Sequence, residues 1–381
     1  MASNMSRGRR RATNVGPNTT DRSIAQELAK HQREISVSEF FERNKHILGF
    51  DSPTKALVTA VKEAVDNSVE YDEPVLIREG SNVRLVKIGE YIDTRMREAG
   101  VSGDEEGRGS VPLHDTEVLA FHERSLRIGW KKTSLAHRHP LQGNLYEIEL
   151  AGGRRVTVTG SHSVFGLKNK RIVALRVENL RVGDYVVVPH REISAGRPMT
   201  EVDLRPWLAS LPNERARRVF VHGMARSLDG VPRNWKRFDF VPLTYVREHG
   251  LVIPKEARVN VRFGKSRLPV VIPISEALMR FLGLYAAGGT RFEHLVTLSF
   301  GSHEQELIEK ARGYVLDSFG PETRVITVRA DSTATCVKIY SSILSQVLEA
   351  VFESGDRAHS KRVPDLVFNV TPELRRAFLE S

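Results

Sequence analysis

One cysteine, Cys336, in 381 residues leaves the chain unable to build an internal disulfide framework or a multi-cysteine zinc site. So little cysteine fits a reducing compartment, and the expected location is the cytoplasm. Long apolar runs are also missing. The stretch around Leu268 to Ile274 falls far short of the about 18–20 residues that a bilayer span requires, and the arginines near the N-terminus lead into no apolar signal segment. No membrane partner is expected. With only 28 glycines and 17 prolines, the composition is neither collagenous nor low-complexity.

What remains is the balance of a folded chain, 40% hydrophobic and 27% charged, long enough for two or three domains. Lysine and arginine outnumber aspartate and glutamate to give a net charge of +10. That excess leaves two readings, a nucleic-acid partner or a merely basic soluble protein.

Three regions differ in character. Residues 1–33 carry Arg7, Arg9, Arg10 and Arg11 without apolar periodicity, which predicts a mobile basic arm. Ser52-Pro53 supplies an N-cap and a first-turn proline, and Leu57, Val61 and Val65 recur every four residues, so a helix is expected over Thr54 to Asn67. Glu63 and Asn67 share its opposite face. From Ser68 to about Pro189 short β-rich runs are expected at Val83 to Ile88, Glu117 to Phe121, Leu145 to Leu150, Arg154 to Thr159 and Asp184 to Val188. Turn signals at Gly89-Glu90, Gly152-Gly153 and Gly183-Asp184 separate them, and the acidic, Gly-rich Ala99 to Pro112 reads as an exposed loop. Beyond about Ser194 the pattern becomes α+β. Helices are expected at Trp207 to Asp229, Ser275 to Ala287, Glu304 to Phe319 and Ser341 to Phe352, with strands at Val296 to Phe300, Arg324 to Val328 and Cys336 to Ile339. Pro372 to Ser381 begins like a further helix and then stops. The fold class is therefore mixed: a short α-helical N-terminal segment, an all-β domain and an incomplete α+β domain.

Glu63 and Asn67, four apart on one helix, set a carboxylate beside an amide, a pair suited to activating water and ligating a magnesium ion in a nucleotide site. Most such pairs are simply solvent-facing. The longer string Ile35-Ser-Val-Ser-Glu-Phe-Phe-Glu-Arg-Asn-Lys-His-Ile-Leu-Gly-Phe-Asp51, with Val61-Lys-Glu-Ala-Val-Asp-Asn-Ser68, resembles the start of the B subunit of DNA topoisomerase VI, which has a GHKL-type ATPase domain. The resemblance covers about Glu34 to Ser68. It implies Glu63 as general base, Asn67 as magnesium ligand, Mg2+ and ATP as cofactors of the complete host, and the A subunit of topoisomerase VI as its partner. Asp66 matches without a role. The Asp-x-Gly-x-Gly turn that the family needs next is absent, since Asp104-Glu-Glu-Gly107-Arg-Gly109 has one residue too many.

Other chemistry starts at Ser68. A serine hydroxyl can attack the carbonyl just before it and turn the Asn67-Ser68 amide into an ester, provided an imidazole protonates the nitrogen and the peptide is held. Thr159-Gly-Ser-His162, at the end of a β-run, supplies an imidazole and a hydroxyl to orient that peptide. The strings from Ser68 to Ile77, from Tyr146 to Phe165 and from Val182 to Pro189 resemble the Hint-type splicing domain of inteins. The resemblance implies Ser68 as N-terminal nucleophile, Thr159 and His162 as the Thr-x-x-His block, and no cofactor for splicing. It also asks for a penultimate His, a terminal Asn and a following nucleophile, which the sequence does not contain, so a separate C-terminal intein fragment is an expected partner.

Leu278-Met-Arg-Phe-Leu-Gly283-Leu-Tyr-Ala-Ala-Gly288-Gly289-Thr290 resembles the first LAGLIDADG motif of a homing endonuclease, a helix whose small residues allow close pairing and whose terminal acid binds Mg2+. Gly288 stands at the acid position. His359-Ser-Lys361-Arg-Val-Pro-Asp-Leu-Val-Phe368 matches the block between the two motifs, with Lys361 as the basic residue that assists cleavage; a surface lysine is its other reading. Pro372 to Glu380 matches the lead-in to the second motif. With no second helix expected, the first should have an unpaired apolar face and the region after about residue 195 should be proteolysed early.

The organisation expected is residues 1–67 as host sequence, 68–194 as the N-terminal part of a splicing domain and 195–381 as a truncated, inactive endonuclease binding DNA. The alternatives are an ATP-binding topoisomerase subunit with an unrelated insert and a non-catalytic basic DNA-binding protein.

Overall fold

The computed structural model describes residues 68–104, 107–122, 124–141, 143–190, 197–330 and 333–381. The basic arm, the helix expected after Ser52-Pro53, and Glu63, Asp66 and Asn67 on it all lie outside those residues.

After Ser68 the chain is rich in strands: β1 (Pro74–Glu79), β2 (Asn82–Lys87), β3 (Gly109–Pro112), β4 (Thr116–His122), β5 (Arg127–Lys132), β6 (Leu135–Arg138), β7 (Leu145–Glu149), β8 (Arg155–Thr159), β9 (Ser163–Lys168) and β10 (Arg171–Arg176). One antiparallel sheet runs in the order β2-β1-β4-β5, and the pairs β3-β6, β7-β8 and β9-β10 fold beside it. A two-residue turn at Gly80-Ser81 joins β1 to β2, with Gly80 at φ +61°, where a side chain would be strained.

The expected all-β character is interrupted by one helix, α1 (Ile88–Glu98). Ile92 and Met96 lie four apart on its buried side and pack against Val111 and Leu113. Each such side chain contributes roughly 1.5–3 kcal/mol by leaving water, enough to favour helix over the turn read at Gly89-Glu90. Gly89 serves close approach instead: a Cβ there would lie 2.1 Å from the ring of Tyr71. The loop read over Ala99 to Pro112 is shortened for the same reason, because Val111 is 2% exposed and draws β3 onto this small core. Asp184 to Val188 forms no regular strand. It lies along β9 through two backbone bonds, Leu167 N to Tyr185 O at 3.0 Å and Val187 N to Phe165 O at 2.7 Å, after a turn with Gly183 at φ +100°.

The helix expected from Trp207 to Asp229 is absent. In its place stand short helices at Arg205–Ser210 and Asn213–Ala216, a strand at Val219–His222 and a 3-10 turn at Ala225–Ser227. Pro212 ends the first helix, and Val219 and Val221, 1% and 0% exposed, alternate with Phe220 in the period-two pattern of a strand. That strand lies between Phe240–Pro242 and Arg258–Val261.

A further antiparallel sheet contains Gly289–Arg291, Leu295–Gly301, Ala334–Tyr340 and Arg324–Arg329 in that order. Its buried face carries Val296, Leu298, Val337 and Ile339, in one core with the helices Glu276–Gly288, Gln305–Phe319 and Ser342–Ala350. Ser275 and Ser341 cap two of these helices by accepting from the amides of Leu278 and Leu344. These elements match the sequence expectation closely.

The unpaired helix face is corrected. The helix Pro372–Leu379, capped by Thr371, packs against Glu276–Gly288, and a Cβ on Gly283 would lie 2.2 Å from the carbonyl oxygen of Phe378. Only glycine permits that backbone approach. Gly283→Val is therefore expected to destabilise the chain by about 2–3 kcal/mol through overpacking, read as a lower urea midpoint; an unchanged midpoint would show the two helices are not in contact. Among the described residues no helix is long and apolar enough to cross a membrane.

Candidate functional site

Ser68 is half-buried and joins the segment 69–73, whose position is fixed from two sides. On one side Val69 forms an antiparallel bridge with Val158. The amide of Glu70 donates to Thr157 O at 2.9 Å, and Glu73 Oε1 accepts from the amide of Thr157 at 2.5 Å. One residue of β8 is thereby bonded through both its backbone polar groups. On the other side the start of α1 holds the segment: Gly89 N donates to Tyr71 O at 2.9 Å and Ile88 N to Glu73 O at 3.0 Å. Lys87 Nζ adds a bond to Asp72 at 2.8 Å, and the Tyr71 hydroxyl donates to Asp93 at 2.9 Å. The hydrogen bond to the Asp93 carboxylate, with a smaller contribution from burial, raises the Tyr71 phenol above its ordinary range.

β8 ends at Thr159 because the four residues from Thr159 to His162 make a tight turn. Thr159, Gly160, Ser161 and His162 close through a bond from His162 N to Thr159 O at 3.1 Å. Gly160 passes beneath Tyr146, with space for a Cβ blocked at 2.8 Å. Two more bonds anchor the turn, Glu178 N to Gly160 O and Val177 N to His162 O, both 2.9 Å, and Val177 is itself 4% exposed. The three-residue spacing of Thr159 and His162 is thus that of a β-turn, and both side chains are half-buried. The strand register sets Val69 one residue from Thr159. What this arrangement offers chemically is a hydroxyl and an imidazole held on one turn, beside the strand that Val69 bridges.

The second region of interest lies at the end of the Glu276–Gly288 helix. Lys361 Nζ donates to the carbonyl oxygen of Tyr285 and lies 3.2 Å from the centroid of its ring. Burial, and then the Arg291 guanidinium, push the Lys361 ammonium down to about 8 against an opposing pull from Asp356. Tyr285 is fully buried and its hydroxyl donates to Gly355 O at 2.7 Å. Gly288, exposed at the same helix end, has room for a Cβ, the nearest atom being Ser299 O at 3.5 Å. Lys361 and Gly288 therefore lie at one helix end, where glycine gives no carboxylate. Among the described residues no group of three His, Cys, Asp or Glu is arranged for a metal, so the residues present do not fit the magnesium implied for this position.

Glu63 and Asn67, with the ATP and magnesium they imply, fall outside the described residues. Glu73, which accepts from Thr157, and Gly160, packed beneath Tyr146, carry no side-chain pattern that marks them in the sequence. The Gly160-Ser161 pair inside Thr-x-x-His is the sequence signal that marks the turn from Thr159 to His162.

The profile of the family described as "Intein splicing domain" matches residues 75–369. A DNA polymerase of Methanocaldococcus jannaschii is 21% identical over 442 residues, covering 96% of this chain and 26% of the polymerase. The B subunit of type 2 DNA topoisomerase 6 from Halobacterium salinarum is 70% identical over 50 residues, covering 13% of this chain and 6% of that protein. The chain thus spans well under two thirds of these curated relatives. The crystal structure of the transcription factor IIB Mvu mini-intein is 37% identical, with 30% of this chain and 67% of that one covered and a TM-score of 0.28. Since the profile runs through β1 to β10, the Thr159–His162 turn and onward to Asn369, well over half of the sequence, the chain belongs to the family of intein splicing domains.

Proposed function

We propose that Ser68 is the first residue of an intein that interrupts the B subunit of a topoisomerase VI after Asn67, and that it carries out an N-to-O acyl shift. The observation that supports this most is the register of Val69 on Val158, which ties the residue after the nucleophile to the strand ending at Thr159. In the step, Ser68 Oγ attacks the carbonyl carbon of Asn67. The C–O bond forms as the hydroxyl proton passes to water, the C–N bond breaks, and the Ser68 nitrogen takes a proton from the His162 imidazolium, which water then reprotonates. Thr159 orients the peptide carbonyl. The products are an ester on Ser68 and its free amine, so the step is an isomerisation and takes no cofactor. Hydroxylamine cleavage of the ester tests it, as developed in the Discussion.

In this reading residues 1–67 belong to the host, where Glu63 is the general base and Asn67 the magnesium ligand of a GHKL ATPase, with the topoisomerase's A subunit as partner. Residues 195–381 are a LAGLIDADG-type endonuclease whose close helix contact at Gly283 fits the motif and whose Gly288 does not. Lys361 at that helix end retains its basic part in cleavage, but without a carboxylate no metal-bound water is generated. That region binds DNA weakly, with affinity falling as salt rises. A plasmid carrying the uninterrupted topoisomerase gene, incubated with magnesium or manganese, is expected to stay uncut. Specific linearisation at the codon after Asn67 would show that other residues hold the metal.

A further inference from the structure

We infer that Asn369, 286 positions along the chain from the strand it touches, is a positioning residue for the acyl shift. This rests on the reading of Ser68 as nucleophile. β2 is the edge strand of its sheet, and the backbone polar groups of Val83 and Leu85 point away from β1. A chain edge of this kind needs a partner. Asn369 provides one with a single side chain: Oδ1 accepts from Val83 N at 2.8 Å and Nδ2 donates to Val83 O at 2.7 Å. Its Nδ2 also donates to Asp365 O at 2.8 Å, and the side chain is 1% exposed. Asp365 Oδ1 accepts from Leu85 N at 3.1 Å, and Arg362 donates to Leu85 O at 3.4 Å. The segment 362–369 therefore does what a neighbouring strand would do.

The consequence reaches the site through continuous backbone. β2 pairs with β1 down to Lys87 opposite Pro74, and the next residue on each side, Ile88 and Glu73, is joined by the bond from Ile88 N to Glu73 O. Glu73 in turn receives the amide of Thr157. A hairpin held in place by Asn369 thus sets where residues 69–73 lie on β8. Part of the region read as an endonuclease is therefore a structural component of the splicing reaction.

The test uses the full chain with Asn369→Asp, because a carboxylate keeps the acceptor but faces the Val83 carbonyl without a proton to donate. Protonation restores a donor. Arg84, Glu79, Asp365, Arg362 and Arg375 surround this position, and variant and wild type share them all, so the ratio of the two rates at each pH cancels their titration. The Ser68-dependent hydroxylamine cleavage of Asn369→Asp is expected to be about tenfold slower than wild type at pH 8, and, because burial at this 1% exposed position raises an introduced carboxyl above its ordinary range, the ratio climbs towards one as the pH falls to about 5 and below. A ratio that is the same at both pH values would overturn the assignment. Should the variant fail to fold, hydrogen exchange in the wild-type chain decides: the Val83 and Leu85 amides must be protected, and exchange as fast as in exposed loops would equally overturn it. A wild-type chain that releases nothing at Ser68, or releases the same fragment as Ser68→Ala, refutes the acyl shift itself and is distinguishable from both results.

Discussion

Ser68→Ala is expected to release no fragment ending at Asn67 when treated with hydroxylamine under conditions in which the wild-type chain does so. The loss should be at least about 10³-fold, because removing the nucleophile removes the only route to the ester. Ser68→Cys is expected to keep the reaction and to move it to a thioester, cleavable by thiols as well. If the hydroxyl were not the nucleophile, Ala and Cys would both release fragments at the wild-type rate. Quantifying the fragment by mass spectrometry over time checks both variants.

The second large effect is expected at His162. Protonating the departing nitrogen is general acid catalysis, and loss of such a group costs typically about 10²–10⁴-fold. His162→Ala should fall in that range while the turn persists, because the bonds that build it, from His162 N to Thr159 O and from Val177 N to His162 O, are backbone bonds that alanine keeps. Unchanged circular dichroism together with slow ester formation is the expected combination. Wild-type ester formation by His162→Ala would remove the imidazole from the mechanism and leave the turn as a scaffold alone.

The sequence made some of this legible and hid the rest for physical reasons. Glu304 to Phe319 and the strand at Val296 to Phe300 were readable because one face of each is buried in a single large core, so their apolar periods are complete. Trp207 to Asp229 was misread because its apolar residues fit a helical stripe over most of the window, whereas the deciding features are Pro212 and the two-residue alternation of Val219 and Val221. α1 was hidden beneath Gly89, which looks like a turn residue until Tyr71 is seen packed on it. At the site, Thr159 and His162 could be paired from their spacing at the end of a β-run, from Ser68 and from the resemblance to intein splicing domains. Glu73 and Asn369 could not, because each acts by hydrogen-bonding to backbone far away in the chain, at Thr157 and Val83, and backbone leaves no signature in side-chain pattern.

The helix pair at Gly283 shows the same limit from the other direction. The small residues of Glu276–Gly288 announced close packing, yet the partner was not expected from a terminal segment as short as Pro372–Leu379, and a contact with the Phe378 carbonyl is a statement about backbone. Gly288 remains the informative departure. It has room for a side chain at 3.5 Å from its nearest neighbour and lies at the helix end where Lys361 donates to Tyr285 O, so the absence of a carboxylate there is a matter of sequence and not of space.

The central claim is that the peptide joining Asn67 to Ser68 becomes an ester, and the most direct measurement is mapping the site of hydroxylamine cleavage in the purified, unmodified chain by tandem mass spectrometry. The account predicts an N-terminal fragment whose last residue is Asn67 bearing a hydroxamate, matched by a second fragment that begins at Ser68. Cleavage elsewhere, or no hydroxamate at Asn67 in a folded chain, would contradict it.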